Sequence, residues 1–130
     1  YKELNQDIKE GDIIYTKDGK IGLTAMLTTE DKCIVASGLV GLRIKKEYSP
    51  YYIFLVLSTE ISLYQALQRV VIAATIPHLH SKRLAKIEIP LIDNGKQKKI
   101  SNLVKAAFDL KDEKKKLIRE ALEKVEKITR

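Results

Sequence analysis

From Gly95 to Arg130 the chain runs on without a proline or a further glycine. Its apolar residues return every three or four positions, at Ile100, Leu103, Val104, Ala107, Leu110, Leu117, Ile118, Ala121, Leu122, Val125 and Ile128. That spacing brings side chains to one face of an α-helix. At about 1.5 Å per residue, roughly 34 residues reach about 50 Å, longer than a domain of this size needs to cover its own core. Part of the stripe must therefore be buried against something else. In heptad register Ile100, Ala107, Lys114, Ala121 and Ile128 share one seam position, and Leu103, Leu110, Leu117 and Lys124 the other. Lys114 and Lys124 interrupt that seam. A short two-helix packing through Leu103, Ala107, Leu110, Leu117, Ile118, Ala121 and Val125 is expected rather than an extended multi-stranded coiled coil. A helix folded back on its own domain is the plainer alternative.

The same helix carries the charge. The chain has 24 Lys and Arg against 17 Asp and Glu; 12 and 6 of these lie from Gly95 onward, which places +6 of the net +7 there. A polyanion partner would use this excess, and a solvated lysine-rich surface would equally account for it. The 130 residues suffice for one soluble globular domain plus the helix. A single Cys33, with only His78 and His80 for company, provides neither a disulfide framework nor zinc-ligand spacing, so a reducing, cytoplasmic setting is expected, without metal or cofactor. No apolar run approaches a membrane span, and the start resembles no signal peptide. Beginning at Tyr1 rather than Met, the chain reads as a piece of something longer.

Taken in order, residues 1 to 10 are polar, and Gly11-Asp12 opens the strand-like Ile13-Ile14-Tyr15. Asp18-Gly19 suits a tight hairpin turn, with Ile21 to Leu27 as the return strand and Lys17 and Lys20 at the tip. Lysines there keep a turn soluble, or hold a phosphate. Two more strands are expected at Cys33 to Ser37 and Leu39 to Ile44, in a curved sheet bulged near Gly38 and Gly41. Glu30-Asp31-Lys32, with Asp12 or Asp18, imitates the acidic corner of a metal-dependent nuclease, but a polar turn accounts for it better.

Ser49-Pro50 has the form of a helix start, serine capping and proline in the first turn, before the apolar Tyr51 to Leu57. A second helix is expected over about Thr59 to Ala73, packing inward through Ile61, Tyr64, Leu67 and Val71. The segment from Ala73 to His80 should be non-helical, since Pro77 disfavours helix at Ile76, and Ser81 can cap a short turn over Lys82 to Ala85. Lys86 to Leu91 alternates like an edge strand. This puts His78, His80, Lys82 and Arg83 near one turn, a set suited to phosphate and base-edge contacts, although each histidine alone is also an ordinary loop residue. No nucleophile and base stand at catalytic spacing.

The order Gly11-Asp12-Ile13-Ile14, Gly19, Gly22, Pro50-Tyr51-Tyr52, Thr75-x-Pro77-His78-Leu79, Leu84, Ile87-x-Ile89-Pro90-Leu91 and Gln97-x-x-Ile100 before a long helix resembles the target-recognition domain of type I restriction-modification specificity subunits. Ile76 and Lys96 depart from it, standing where a polar and an acidic residue are common. The resemblance implies a non-catalytic reader of double-stranded DNA that brings methyltransferase and restriction subunits to a target. It also implies that residues 1–94 are part of such a domain and 95–130 one spacer helix, where subunits of the family usually carry two domains and an antiparallel pair of helices. An α+β fold is expected, with a small, curved, mostly antiparallel sheet, packed helices and a long C-terminal helix. Lys17, Lys20, Thr75, His78, His80, Lys82 and Arg83 would face DNA, and a homodimer could form through the helix. Two other readings stay open, a protein-interaction module acting through the helix and the recognition end of a single-chain methyltransferase or restriction enzyme.

Overall fold

The computed structural model describes residues 7–31, 33–72 and 75–129. Several sequence expectations touch residues outside these: the polar start at Tyr1 to Gln6, Lys32 of the acidic triplet, the helix end and connection at Ala73 and Ala74, and Arg130 of the long helix.

The architecture is α+β. Ile13–Thr16 (β1), Thr24–Met26 (β2) and Leu39–Leu42 (β3) form an antiparallel sheet in the order β2-β1-β3. Flanked on both sides, β1 buries Ile13, Ile14 and Tyr15 in succession, as a central strand does. The β1–β2 connection is wider than the two-residue turn expected at Asp18-Gly19. The Gly22 amide donates to Thr16 O at 3.1 Å, and the Thr16 hydroxyl spans the loop, donating to Lys20 O and accepting from the Leu23 amide at 2.9 Å. Cys33 to Ala36 is irregular rather than a strand, and the Leu39 amide closes a turn onto Ala36 O that feeds the chain into β3.

Pro50–Leu57 (α1) starts as the sequence predicts, the Ser49 side chain accepting from the Tyr52 amide. Tyr52, Ile53 and Leu57 are buried in the main core with Ile13, Tyr15, Met26 and Leu79. The second helix, Glu60–Leu67 (α2), is shorter than expected and turned the other way. Ser62 and Ala66 are its buried residues, while Ile61, Tyr64 and Leu67 are exposed. The Leu63 side chain of α2 lies over the hairpin, and at Gly22 a side chain would collide with it. After α2 the chain becomes strand: Val71–Ile72 (β4) pairs antiparallel with Pro77–His78 (β5).

Ser81–Leu84 (α3) begins one residue before the expected turn, and His80 rather than Ser81 caps it, accepting from the Lys82 amide. The alternating Lys86 to Leu91 is no strand. Side chains take the place of a neighbouring strand there: the Gln65 amide both donates to Glu88 O at 3.2 Å and accepts from Glu88 N at 2.9 Å, and the Tyr52 hydroxyl donates to Pro90 O at 2.6 Å. Asn94–Thr129 (α4) is one helix of 36 residues, or about 54 Å.

Candidate nucleic-acid interface

A short backbone ladder joins the hairpin tip to β5. The Leu79 amide donates to Lys17 O at 2.8 Å, the Gly19 amide donates to Pro77 O at 3.0 Å, and Asp18 lies opposite His78 in antiparallel pairing. Two segments about 60 residues apart in sequence thus form one rigid edge, anchored below by fully buried Leu79. Such a ladder removes the freedom that each loop would have alone.

Three sequence-predicted residues meet on this edge. Lys17 is only 17% exposed, and its ammonium lies 3.0 Å from the Asp18 carboxylate. The other Asp18 oxygen contacts His78 Nδ1. Hydrogen bonds from Lys17, then from His78, hold the Asp18 carboxyl below the usual carboxylate range. The His78 and His80 rings stand edge to face, with centroids 6.3 Å apart. Lys20, on the outer side of the tip, is exposed.

The remaining candidates flank the ladder. Thr75 and Ile76 are exposed before β5, and α3 presents exposed Lys82 and Arg83, the Arg83 guanidinium reaching back to Arg69 O at 3.1 Å. His80 serves the backbone through Nδ1, which leaves Nε2 outward-facing chemistry at most. The edge therefore offers donors (Lys20, Lys82, Arg83) and imidazoles on a fixed backbone. Among the described residues no group of three or more His, Cys, Asp or Glu could hold a metal ion.

The spacer-like helix is held by contacts that sequence reasoning did not single out. Ile100 and Phe108 pack on the core with buried Ser101 between them, and the Phe108 ring meets Phe54 edge-on at 5.1 Å and Tyr51 at 6.4 Å. Farther along, the 28–31 turn grips α4: Thr28 donates to Asp112 at 2.8 Å, Asp31 pairs with Lys115 at 2.6 Å, and Glu30 with Arg119 at 3.0 Å. The acidic triplet thus spends Glu30 and Asp31 on the helix cations. A signal existed in the sequence, since Phe108 follows Val104 and Ile100 at helical spacing and an acidic turn complements the basic helix.

Apart from Ile100 and half-buried Val104, the apolar stripe is elsewhere. Leu103, Leu110, Leu117, Ile118, Leu122, Val125 and Ile128 are exposed, from 50% at Ile118 to 83% at Ile128, and so are Ala107 and Ala121. At about 100° per residue, this stripe lies roughly 120° around the helix from the docked face of Ser101, Phe108, Lys115 and Arg119.

The small antiparallel sheet and the long terminal helix agree with the fold expected from the sequence, and a direct comparison decides the family. The sequence model for the type I restriction modification DNA specificity domain matches residues 2–124. The chain belongs to this family. Membership in the specificity-domain family implies a DNA-recognition role within a type I restriction-modification system. No curated protein matches the chain. Among the described residues no helix of this specificity domain is long and apolar enough to cross a membrane.

Proposed function

We propose that this specificity domain reads a DNA sequence through the edge built by the hairpin tip and β5–α3, and that it directs methyltransferase and restriction subunits to the site without itself catalysing a reaction. In this reading residues 1–94 are part of a target-recognition domain, 95–130 a spacer and docking helix, and the setting is the cytoplasm. The ladder between residues 17–19 and 77–79 carries the proposal, because it holds imidazoles and flanking cations on one rigid edge, where base readout needs fixed geometry. Lys20, Lys82 and Arg83 would position the phosphates, with Thr75, Lys17 and His80 lining the edge and His78 or Arg83 reaching base edges.

The test is binding to random duplex DNA across a salt series. If about six phosphates are neutralised, log affinity falls against log salt with a slope of roughly −5. Lys82→Ala/Arg83→Ala should weaken binding and flatten that slope by about 2. A flat salt response in the unaltered chain would overturn the proposal.

A second reading is favoured by one observation, the exposed stripe from Leu103 to Ile128. In this chain with a single spacer helix, we propose self-association through that stripe or its use by a partner subunit. A helix serving only protein contacts predicts DNA binding that is weak and indifferent to Lys82 and Arg83.

A further inference from the structure

The most specific chemistry on the proposed edge belongs to a residue the sequence did not single out for DNA contact. Asp18 accepts from Lys17 through Oδ2 and contacts His78 Nδ1 through Oδ1. A carboxylate has only acceptors, so in neutral His78 the proton must sit on Nδ1, and Nε2 is left with its lone pair. The His78 side chain is 45% exposed, and Nε2 has no hydrogen-bond partner among the described residues. The His78 backbone is fixed by pairing with Val71 on one side and Asp18 on the other, and the Asp18 contact at Nδ1 holds the ring on it.

We propose that Asp18 is a specificity-determining positioning residue, which fixes His78 so that Nε2 accepts a hydrogen bond from the exocyclic amino group of a base, adenine N6 or cytosine N4, in the major groove. This inference rests on the DNA-recognition reading above and adds the kind of base edge that one position selects. An outward lone pair repels a phosphate oxygen and offers nothing to the O6 and N7 acceptors of guanine or to O4 of thymine; only the amino groups supply the matching donor. Lys17 offsets the charge of Asp18, so the carboxylate sits near a polyanion as part of an ion pair rather than as a bare negative charge.

Two measurements on the whole chain test this. In the first, imidazole nitrogen shifts at pH 8, where histidine is ordinarily neutral, report which ring nitrogen of His78 carries the proton. The protein should show Nδ1–H, and Asp18→Ala should move His78 toward Nε2–H. In the second, bound sequences are selected from random duplex DNA with the unaltered chain, Asp18→Ala and His78→Ala. The unaltered chain should prefer an amino-bearing base at one position by roughly five- to tenfold, as one hydrogen bond allows. Both variants should lose that preference at the same position and keep their salt slope.

Nε2–H in the unaltered chain, or an unchanged preference in Asp18→Ala, overturns the proposal. So does a His78→Ala variant weakened equally on all sequences with a slope shallower by about one, which is the signature of a phosphate contact. If the unaltered chain selects no sequence at all, the recognition reading itself has failed and the base contact falls with it. The nitrogen shifts then still report whether Asp18 sets the tautomer, so the two failures are told apart.

Discussion

Gly22 and Gly19 both hold positive φ, at +91° and +68°, yet they need glycine for different reasons. A Cβ at Gly19 would meet nothing within 4 Å, whereas at Gly22 it would lie 2.5 Å from Leu63 Cδ1 and 3.5 Å from the Tyr15 hydroxyl. Gly19→Ala should therefore cost only the backbone penalty, about 1 kcal/mol, and Gly22→Ala that penalty plus the displacement of the Leu63 side chain, about 2 kcal/mol together. Urea unfolding of the two variants measures the difference, and equal losses would show that α2 is not seated on the hairpin. The sequence marked Gly19 as a turn residue and put Gly22 in the return strand, and it could not rank their costs, because the rank comes from a side chain 41 positions away. Arg43 is similar. Its guanidinium donates to the nearly buried Asp12 carboxylate at 2.7 Å and to Asp7 at 2.8 Å. Burial alone would raise the Asp12 carboxyl, but the hydrogen bonds from Arg43 and from the Lys9 amide outweigh it and hold it below the ordinary carboxylate range. No local pattern announces a pair 31 residues apart.

Among the elements, α4 shows most clearly that the apolar stripe of a helix need not be the face its own domain takes. The domain takes Ile100, Ser101 and Phe108, and then salt bridges, while the regular stripe stays open. Phe108→Ala, which removes a half-buried ring wedged between Tyr51 and Phe54, should cost about 2–3 kcal/mol and loosen the helix without unfolding the sheet. Thermal unfolding together with hydrogen exchange along α1 checks both parts. The 28–31 turn adds a pH dependence of known sign. Burial raises the Asp31 carboxyl, but hydrogen bonds from Lys115 and from the amide and hydroxyl of Thr28 more than reverse this and lower it. A carboxyl lowered in the folded state stabilises above its unfolded value of about 3.9 and ceases to do so as pH falls through the folded one. Docking of α4 should thus be constant from about pH 8 to pH 5 and loosen below about pH 4. Distances between spin labels at Glu10 and Glu123, in a Cys33→Ser background, should broaden in acid, and Asp31→Ala should be broad already at neutral pH. Helix α2 shows the opposite error, since its apolar Ile61, Tyr64 and Leu67 face outward and the small Ser62 and Ala66 face inward. Hydrophobicity predicts burial only when nothing else competes for the site.

For the whole molecule, the length of α4 against the size of the domain carries the remaining prediction. About 54 Å of helix meets the body mainly from Ile100 to Arg119, and the exposed leucines and isoleucines beyond and beside that contact make a strip that a second helix could cover. Under the proposed self-association, the chain sediments as a concentration-dependent dimer, and Leu110→Lys/Leu117→Lys leaves a monomer of unchanged helicity; a monomer at every accessible concentration would remove that proposal. What the sequence by itself determined is the set of local matters: the α+β class, the capped start of α1, the unbroken terminal helix, its stripe and its charge, and the order of motifs that marks the specificity-domain family. Each follows from spacing of a few residues or from a motif read in line. Only the tertiary structure decided which face of α2 and of α4 is inside, that Glu30 and Asp31 hold the helix, and that Asp18 comes to lie against His78. Those outcomes join residues 41 to 89 positions apart, and periodicity, which acts within a turn or a strand, carries no information about such pairs.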